Sequence, residues 1–323
     1  MISSRVHPFR PSFSGHVRTI VQLLAILTTT TAGAQTATRV AADVYALIAD
    51  QGDIEPANGG FVGNLGYLVG ERGVVVIDAG ISYRFGERMR ATIAASTSLP
   101  VALVVLTDPI QEFHFGAAAF QDRGVPVLAH RDAAALIAQR CETCLKRLRV
   151  TLGDDAMAGS RVVVPDRLID GTTTIDVGGR DIELLYLGLA SAPGNLAVFD
   201  RRSGVLFAGG LVSLGRIPRL RDGDLDGWIA ALERLQKIPA TLIVPGHGPI
   251  ATQAEARQTL AYLRALKQKV HALYAKGTGL SAAVAGGDLP AFASWSLYPT
   301  LHRENVQELY VRLERADLQR GSR

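Results

Sequence analysis

Cysteine is almost missing from this chain: Cys141 and Cys144 are the only two among 323 residues. Two thiols allow one disulfide at most and are too few ligands for a structural zinc. Their Cys-x-x-Cys spacing is shared with redox pairs, but a redox pair wants the motif at a helix start after a strand. Here it follows a helical pattern over Ala133 to Arg140. A short structural disulfide or two idle thiols is therefore the expectation, the disulfide being plausible in an oxidising compartment. Acid is missing from residues 1–34, where Arg5, Arg10 and Arg18 stand without an Asp or Glu. Long apolar runs are missing too. Ile20 to Leu27 is too short to span a bilayer. Followed by the small residues Ala32-Gly33-Ala34, it reads as a secretory signal over 1–34, cleaved after Ala34. The alternative is an uncleaved interfacial helix. Cleavage predicts a periplasmic or secreted chain with no stable membrane span. It also lowers the formal charge from +4 to +1, which removes the positive field that a nucleic-acid partner would need. No internal repeat or low-complexity tract occurs, and a composition 48% hydrophobic and 20% charged belongs to a packed globular protein.

What is present alternates between strand and helix patterns. Phe61 to Val69 mixes β-formers with glycines, and Val74 to Ile77 is a continuous apolar run closed by Asp78-Ala79-Gly80. Together they read as a buried strand pair with a carboxylate at its end. Arg84 to Ala95 has helical spacing and Val101 to Leu106 is a buried strand, which makes a crossover unit. Ala117 to Gln121, Val125 to Leu128 and Ala133 to Gln139 repeat the theme. Short strands are expected at Val162 to Val164, Arg167 to Ile169, Thr173 to Val177 and Ile182 to Leu187. Leu196 to Phe199 and Val205 to Ala208 should pair. Leu225 to Leu235 and Gln253 to Ala275 read as helices flanking a last buried strand, Ala240 to Val244, which is closed by Pro245-Gly246-His247-Gly248-Pro249. Val306, Leu309, Tyr310 and Leu313 form a helical apolar stripe that packs on the body or meets a partner. Two halves of this kind predict an α+β fold: an αββα sandwich of two mixed β-sheets with helices on the outer faces. Functional loops then gather at one end of the strands.

Asp78-Ala79-Gly80, Gly116 to Phe120, Ala192-Pro193-Gly194-Asn195, Leu206 to Gly209 and Pro245 to Pro249 occur in an order that resembles the metallo-β-lactamase superfamily. Asn58-Gly59-Gly60, Asn64-Leu65-Gly66, Leu289 to Phe292 and the stretch Glu304 to Arg315 narrow the resemblance to exported quinoprotein relay system zinc metallohydrolases. It covers essentially the whole chain after residue 34. It implies a signal peptide over 1–34, the superfamily domain over 35–280 and a helical tail over 281–323 packed on it.

The resemblance also implies a zinc site, because active relatives carry His-x-His-x-Asp-His three residues before the glycine. Converging imidazoles and carboxylates lower the pKa of a metal-bound water. Registered on Gly116, those positions hold Asp108, Ile110, Glu112 and Phe113, and His114 comes one residue late. Its ring should point elsewhere. Ser191 stands at the next ligand position, Gly210 at the bridging aspartate, and His247 alone is where the pattern wants a ligand. Asp78 would support the loop from behind. No catalytic residue, no metal and no cofactor are therefore expected, and Asp108, Glu112, His114, Ser191, His247 and Asp78 remain as cleft candidates.

Plainer readings stand beside these. His247 could simply hydrogen-bond its turn. Asp108 and Glu112 could hold a hard cation, or be solvated loop carboxylates. His130 and His302 read as surface or boundary residues, and Ser191 lacks a nucleophile elbow. The leading expectation is a non-catalytic, exported accessory protein. By resemblance alone its partner would be a periplasmic quinoprotein dehydrogenase or a cytochrome c. The alternatives are a metal-dependent hydrolase with a remodelled mononuclear zinc site, and a binding protein whose greasy pocket is made by Ile110 and Phe113 with Phe115 nearby.

Overall fold

The computed structural model describes residues 1–2 and 36–321. The expected signal segment thus lies outside the described residues apart from its first two. In chain order come β1 (Thr38–Ala41), β2 (Val44–Leu47), β3 (Leu65–Val69), β4 (Val74–Ile77), α1 (Tyr83–Ser96), β5 (Val101–Val105), α2 (Gln111–His114), α3 (Ala118–Gln121), β6 (Val127–His130) and α4 (Arg131–Leu152). Then follow β7 (Arg167–Ile169), β8 (Thr173–Asp176), β9 (Asp181–Tyr186), β10 (Leu196–Asp200), β11 (Val205–Ser213), α5 (Leu225–Leu235), β12 (Leu242–His247), α6 (Gln253–Ala275), α7 (Leu280–Gly286) and α8 (Arg303–Gly321).

The strands form a seven-stranded sheet, β1-β2-β3-β4-β5-β6-β7, and a five-stranded sheet, β12-β11-β10-β9-β8. Both are mixed: β4, β5, β6 and β7 pair in parallel, as do β11 and β12, while the other pairs are antiparallel. The period of two explains why so many strands are apolar on both faces. On β4, Val75 and Ile77 face the space between the sheets, while Val74 and Val76 pack under α1 and α4. On β11, Val205 and Phe207 join the inter-sheet core, while Leu206 and Ala208 pack under α5, α6 and the C-terminal helices. The result is four layers, helices outside two facing sheets. Gly66 lets the sheets close up, since a Cβ there would lie 2.1 Å from a ring carbon of Phe207 in the facing sheet. Arg180 ties them at one edge, donating to Asp200 on its own sheet and to the Val69 carbonyl at 2.8 Å on the other.

Several elements differ from the expectations. β3 begins at Leu65, not Phe61. The residues before it turn because the Asn64 side chain accepts from Ala49 N–H at 2.8 Å and donates to the carbonyls of Pro245 and Gly248. Val162 to Val164 is not a strand: Pro165 breaks the ladder, and the Val164 carbonyl is taken by Gln121 at 2.7 Å. β1 and β2 carry no strong hairpin signal and enter as an added edge. His130 and His302 are interior rather than surface residues, 3% and 1% exposed. His130 stacks on Tyr186 and caps α4 by accepting from Asp132 N–H, and His302 lies between Tyr262 Oη at 3.1 Å and the Gly287 carbonyl at 3.0 Å.

Candidate functional site

The site lies where β4, β5, β11 and β12 end and β10 begins. Asp78 closes β4 with a left-handed backbone (φ 57°) and is buried. Its carboxylate accepts from the backbone N–H and hydroxyl of Thr107 at 2.8 and 2.5 Å, which sets the direction of the loop after β5. Burial pushes its pKa well above the ordinary value, against the pull of those bonds. Ala79 N–H donates to the Phe113 carbonyl at 2.7 Å, so α2 is pinned against the Asp78 turn.

Asp108 starts the turn into α2. One carboxylate oxygen accepts from Ile110 N–H at 2.9 Å, an Asx turn, and the other accepts from the Asn195 side-chain amide. Asn195 in turn accepts from Ser191 Oγ at 2.7 Å and from Ala192 N–H. The decisive neighbour is a glycine. A Cβ on Gly210 would lie 2.0 Å from Asp108 Oδ2 and 3.3 Å from Ser191 Oγ, so the Asp108 carboxylate occupies the space that a side chain at 210 would need. Burial, with Glu112 adding repulsion, pushes the Asp108 pKa up to about 7.

Glu112 and His247 form the second unit, Oε1 to Nε2 at 3.3 Å, both buried. Burial and the nearby Arg216 charge hold His247 down to about 4. Burial opposes ionisation of Glu112, but the His247 bond and Arg216 outweigh it and keep its pKa low. The pair is thus a carboxylate accepting from the Nε2–H of a neutral imidazole. Phe113 backs it, edge-on to His247 at 5.6 Å between ring centroids. Solvated loop carboxylates are not what Asp108 and Glu112 are: they are 1% and 7% exposed, because α2 folds into the mouth of the cleft.

His114 stands apart. It is fully buried, its Nε2 is 3.3 Å from Cys141 Sγ, its Nδ1 has no partner among the described residues, and burial holds its pKa down to about 4. Cys141 and Cys144 are both free thiols on α4, which runs unbroken through them, so the plausible short disulfide is not formed. Cys141 is buried beside His114, while Cys144 opens on the cavity with Arg147 Nη2 at 4.0 Å.

The cavity holds about 530 Å³ and is lined by Asp108, Ile110, Glu112, Phe113, Ser191 and His247 among others. Asp78, His114 and Phe115 do not line it. Phe115 is enclosed in the core under α1 and α4. Among the described residues, no group of three or more His, Cys, Asp or Glu side chains is placed to hold a metal ion.

Residues 114–247 match the family model of the metallo-beta-lactamase superfamily. The chain carries a metallo-beta-lactamase superfamily domain. A metallo-beta-lactamase from Pontibacter korlensis superposes with a TM-score of 0.59 at 26% identity, over 71% of this chain and 98% of that one. The DIM-1 metallo-beta-lactamase exposed to ceftazidime superposes at 0.57 with 17% identity, and the DIM-1 enzyme in another structure at 0.56 with 16%, each over 71% of this chain and 96% of theirs. At those lower identities the likeness is one of fold. No curated protein matches the chain.

Within this superfamily domain the sequence motifs missed Asn195 and Arg216. Asn195 follows a recognised Pro-Gly turn, and its pairing with Asp108 was foreshadowed only by the missing side chain at Gly210. Arg216 carried no signal at all among the arginines of the chain.

Proposed function

We propose that this chain is a non-hydrolytic member of the metallo-beta-lactamase fold, a binding protein that keeps the cleft and has given up the metal centre. The observation that carries this is Asp108 seated in the space above Gly210, with both carboxylate oxygens accepting hydrogen bonds. A zinc centre does not fit these residues. The bridging-aspartate position is glycine, and the carboxylate that fills its volume is raised toward protonation. His247 Nε2 is turned to Glu112 Oε1 at 3.3 Å, and His114 faces Cys141. Ile110 and Phe113 contribute no donor. What remains is a half-apolar cavity of a size suited to a small ligand.

The basic, acid-free start of the chain supports export, and the resemblance to quinoprotein relay proteins supports an accessory role beside a periplasmic quinoprotein dehydrogenase or a cytochrome c. The test is elemental analysis of protein purified from zinc-supplemented cells, with ester and β-lactam turnover measured before and after chelation. The expected result is far less than one metal per chain and no turnover. One or two tightly held zinc ions with chelator-sensitive hydrolysis would overturn the reading in favour of a remodelled hydrolase.

A further inference from the structure

Among the described residues two arginines are buried, and they are treated in opposite ways. Arg180 is 2% exposed and satisfied: Nε and Nη2 donate to Asp200, and Nη1 donates to the Val69 carbonyl. Arg216 is 7% exposed and lines the cavity. Its guanidinium makes no hydrogen bond or ion pair to any described residue, and its Nε is enclosed without a partner. The charges that face it are Glu112, Asp53 and Asp50, which attract it, and Arg219, which repels it. None is within ion-pair distance, and the carboxylate of Glu112 is already committed to His247.

Nor is the placement loose. Leu214 N–H donates to the His247 carbonyl at 2.9 Å, Ile217 N–H to the Ser296 carbonyl at 3.0 Å, and Ser213 Oγ to the Arg216 carbonyl at 2.8 Å. The backbone on both sides of Arg216 is thereby fixed by β12 and by the segment before α8. An unpaired buried cation is strongly destabilising, and a fold that holds one rigidly against a cavity is holding its donors for something other than the described residues.

We propose that Arg216 anchors the carboxylate of a small organic monoacid whose body lies in the cavity. The planar guanidinium matches a carboxylate in a two-pronged bond. The nearby negative charge of Glu112 favours a single negative charge over a phosphate dianion. Ile54, Ile110, Phe113 and Leu148 supply an apolar wall for the body, and the lining arginines (Arg140, Arg147, Arg216, Arg219 and Arg221) outnumber the lining carboxylates (Asp53, Asp108, Glu112 and Asp222), an excess of positive charge that favours anions. The assignment deepens the reading of the cavity as a ligand pocket, and rests on it.

The test uses the full chain, with benzoate, cyclohexanecarboxylate and octanoate as probes, benzamide and inorganic phosphate as controls, and thermal shift with calorimetric titration as readouts. At least one carboxylate should raise the melting temperature of the wild type, benzamide should not, and phosphate should do so less. Arg216→Met should melt no lower than the wild type without ligand, because an unpaired buried charge is gone, yet bind the carboxylate about tenfold or more weakly. Arg216→Lys, which keeps the charge and loses the fork, should fall between. The anchor is overturned if no carboxylate shifts the wild type, if Arg216→Met is shifted equally, or if phosphate is the stronger ligand. Metal content of the same samples separates the two readings. Arg216-dependent binding in protein that holds stoichiometric zinc keeps the anchor and removes the metal-free reading. Zinc-free protein that ignores every carboxylate removes the anchor alone.

Discussion

Replacing Asp108 by Asn should invert the order of stability between about pH 3.5 and about pH 8.5, a span that takes in both its unfolded value near 3.8 and its folded value near 7. In the folded chain the Asp108 pKa is pushed from 3.8 to about 7, by burial first and by Glu112 as well. A carboxyl whose folded pKa lies above its unfolded value favours the folded state when protonated. That contribution is fully present below about pH 4 and is lost as pH rises through about 7. At about 1.4 kcal/mol per unit, the ionised wild type at pH 8 carries a penalty of about 4 kcal/mol. The amide of Asp108→Asn cannot ionise, so the variant escapes that penalty. It also turns an amide N–H₂ toward the Asn195 amide that now donates to Asp108, which costs about 1–3 kcal/mol for the bond lost and the donor left unpaired. Asp108→Asn should therefore be less stable than the wild type near about pH 3.5 and more stable near about pH 8.5, by about 1–3 kcal/mol in each direction. Urea unfolding of both proteins across that range measures it. His114 and His247, held down to about 4, add the opposite slope below about pH 6.5, but they do so in both proteins and cancel in the difference. Parallel stability curves for the two proteins would refute the reasoning, because Asp108 would then not be the titrating group.

Gly210→Ala puts a methyl where the Asp108 carboxylate sits, so it should cost about 1–3 kcal/mol by overpacking. Combined with Asp108→Ala the cost should largely vanish, and unfolding of the two single variants and the double variant gives the coupling; strictly additive effects would show that the two positions do not share that space. Cys144 should react with a thiol reagent well before Cys141. Its bond from Cys141 and the Arg147 and Arg221 charges pull it down to about 6, while the same bond and burial push Cys141 up. The rate against pH should rise with a midpoint near that value, and mass mapping that finds Cys141 labelled first would contradict it.

How much of this was legible in the chain depends on whether one stretch or several carried the information. Val74 to Ile77 reads as buried on both faces because its four residues alternate between two cores, and each core is present in the sequence as another run of the same kind. The loop from Asp108 to Gly116 likewise showed locally that Ile110 and Phe113 bind no ion. The fate of Asp108 was not local. A lone carboxylate beside Pro109 on a turn reads as solvated, and only the fold brings Gly210 from β11 beneath it and Asn195 from the start of β10 onto it. Arg216 is the extreme case: nothing in its neighbours distinguishes it from Arg219 and Arg221, which stay exposed a few positions along. The difference is made by Ser296 and His247, residues remote in sequence that pull its backbone under the cavity wall. The two features join into one argument. When the side chain at 210 is absent and an acid from the first loop folds in to fill its place, the donors there turn toward one another. The buried charge left without a partner at the cavity is then Arg216, and on the proposed reading it is this donor set, not a metal, that would select the ligand.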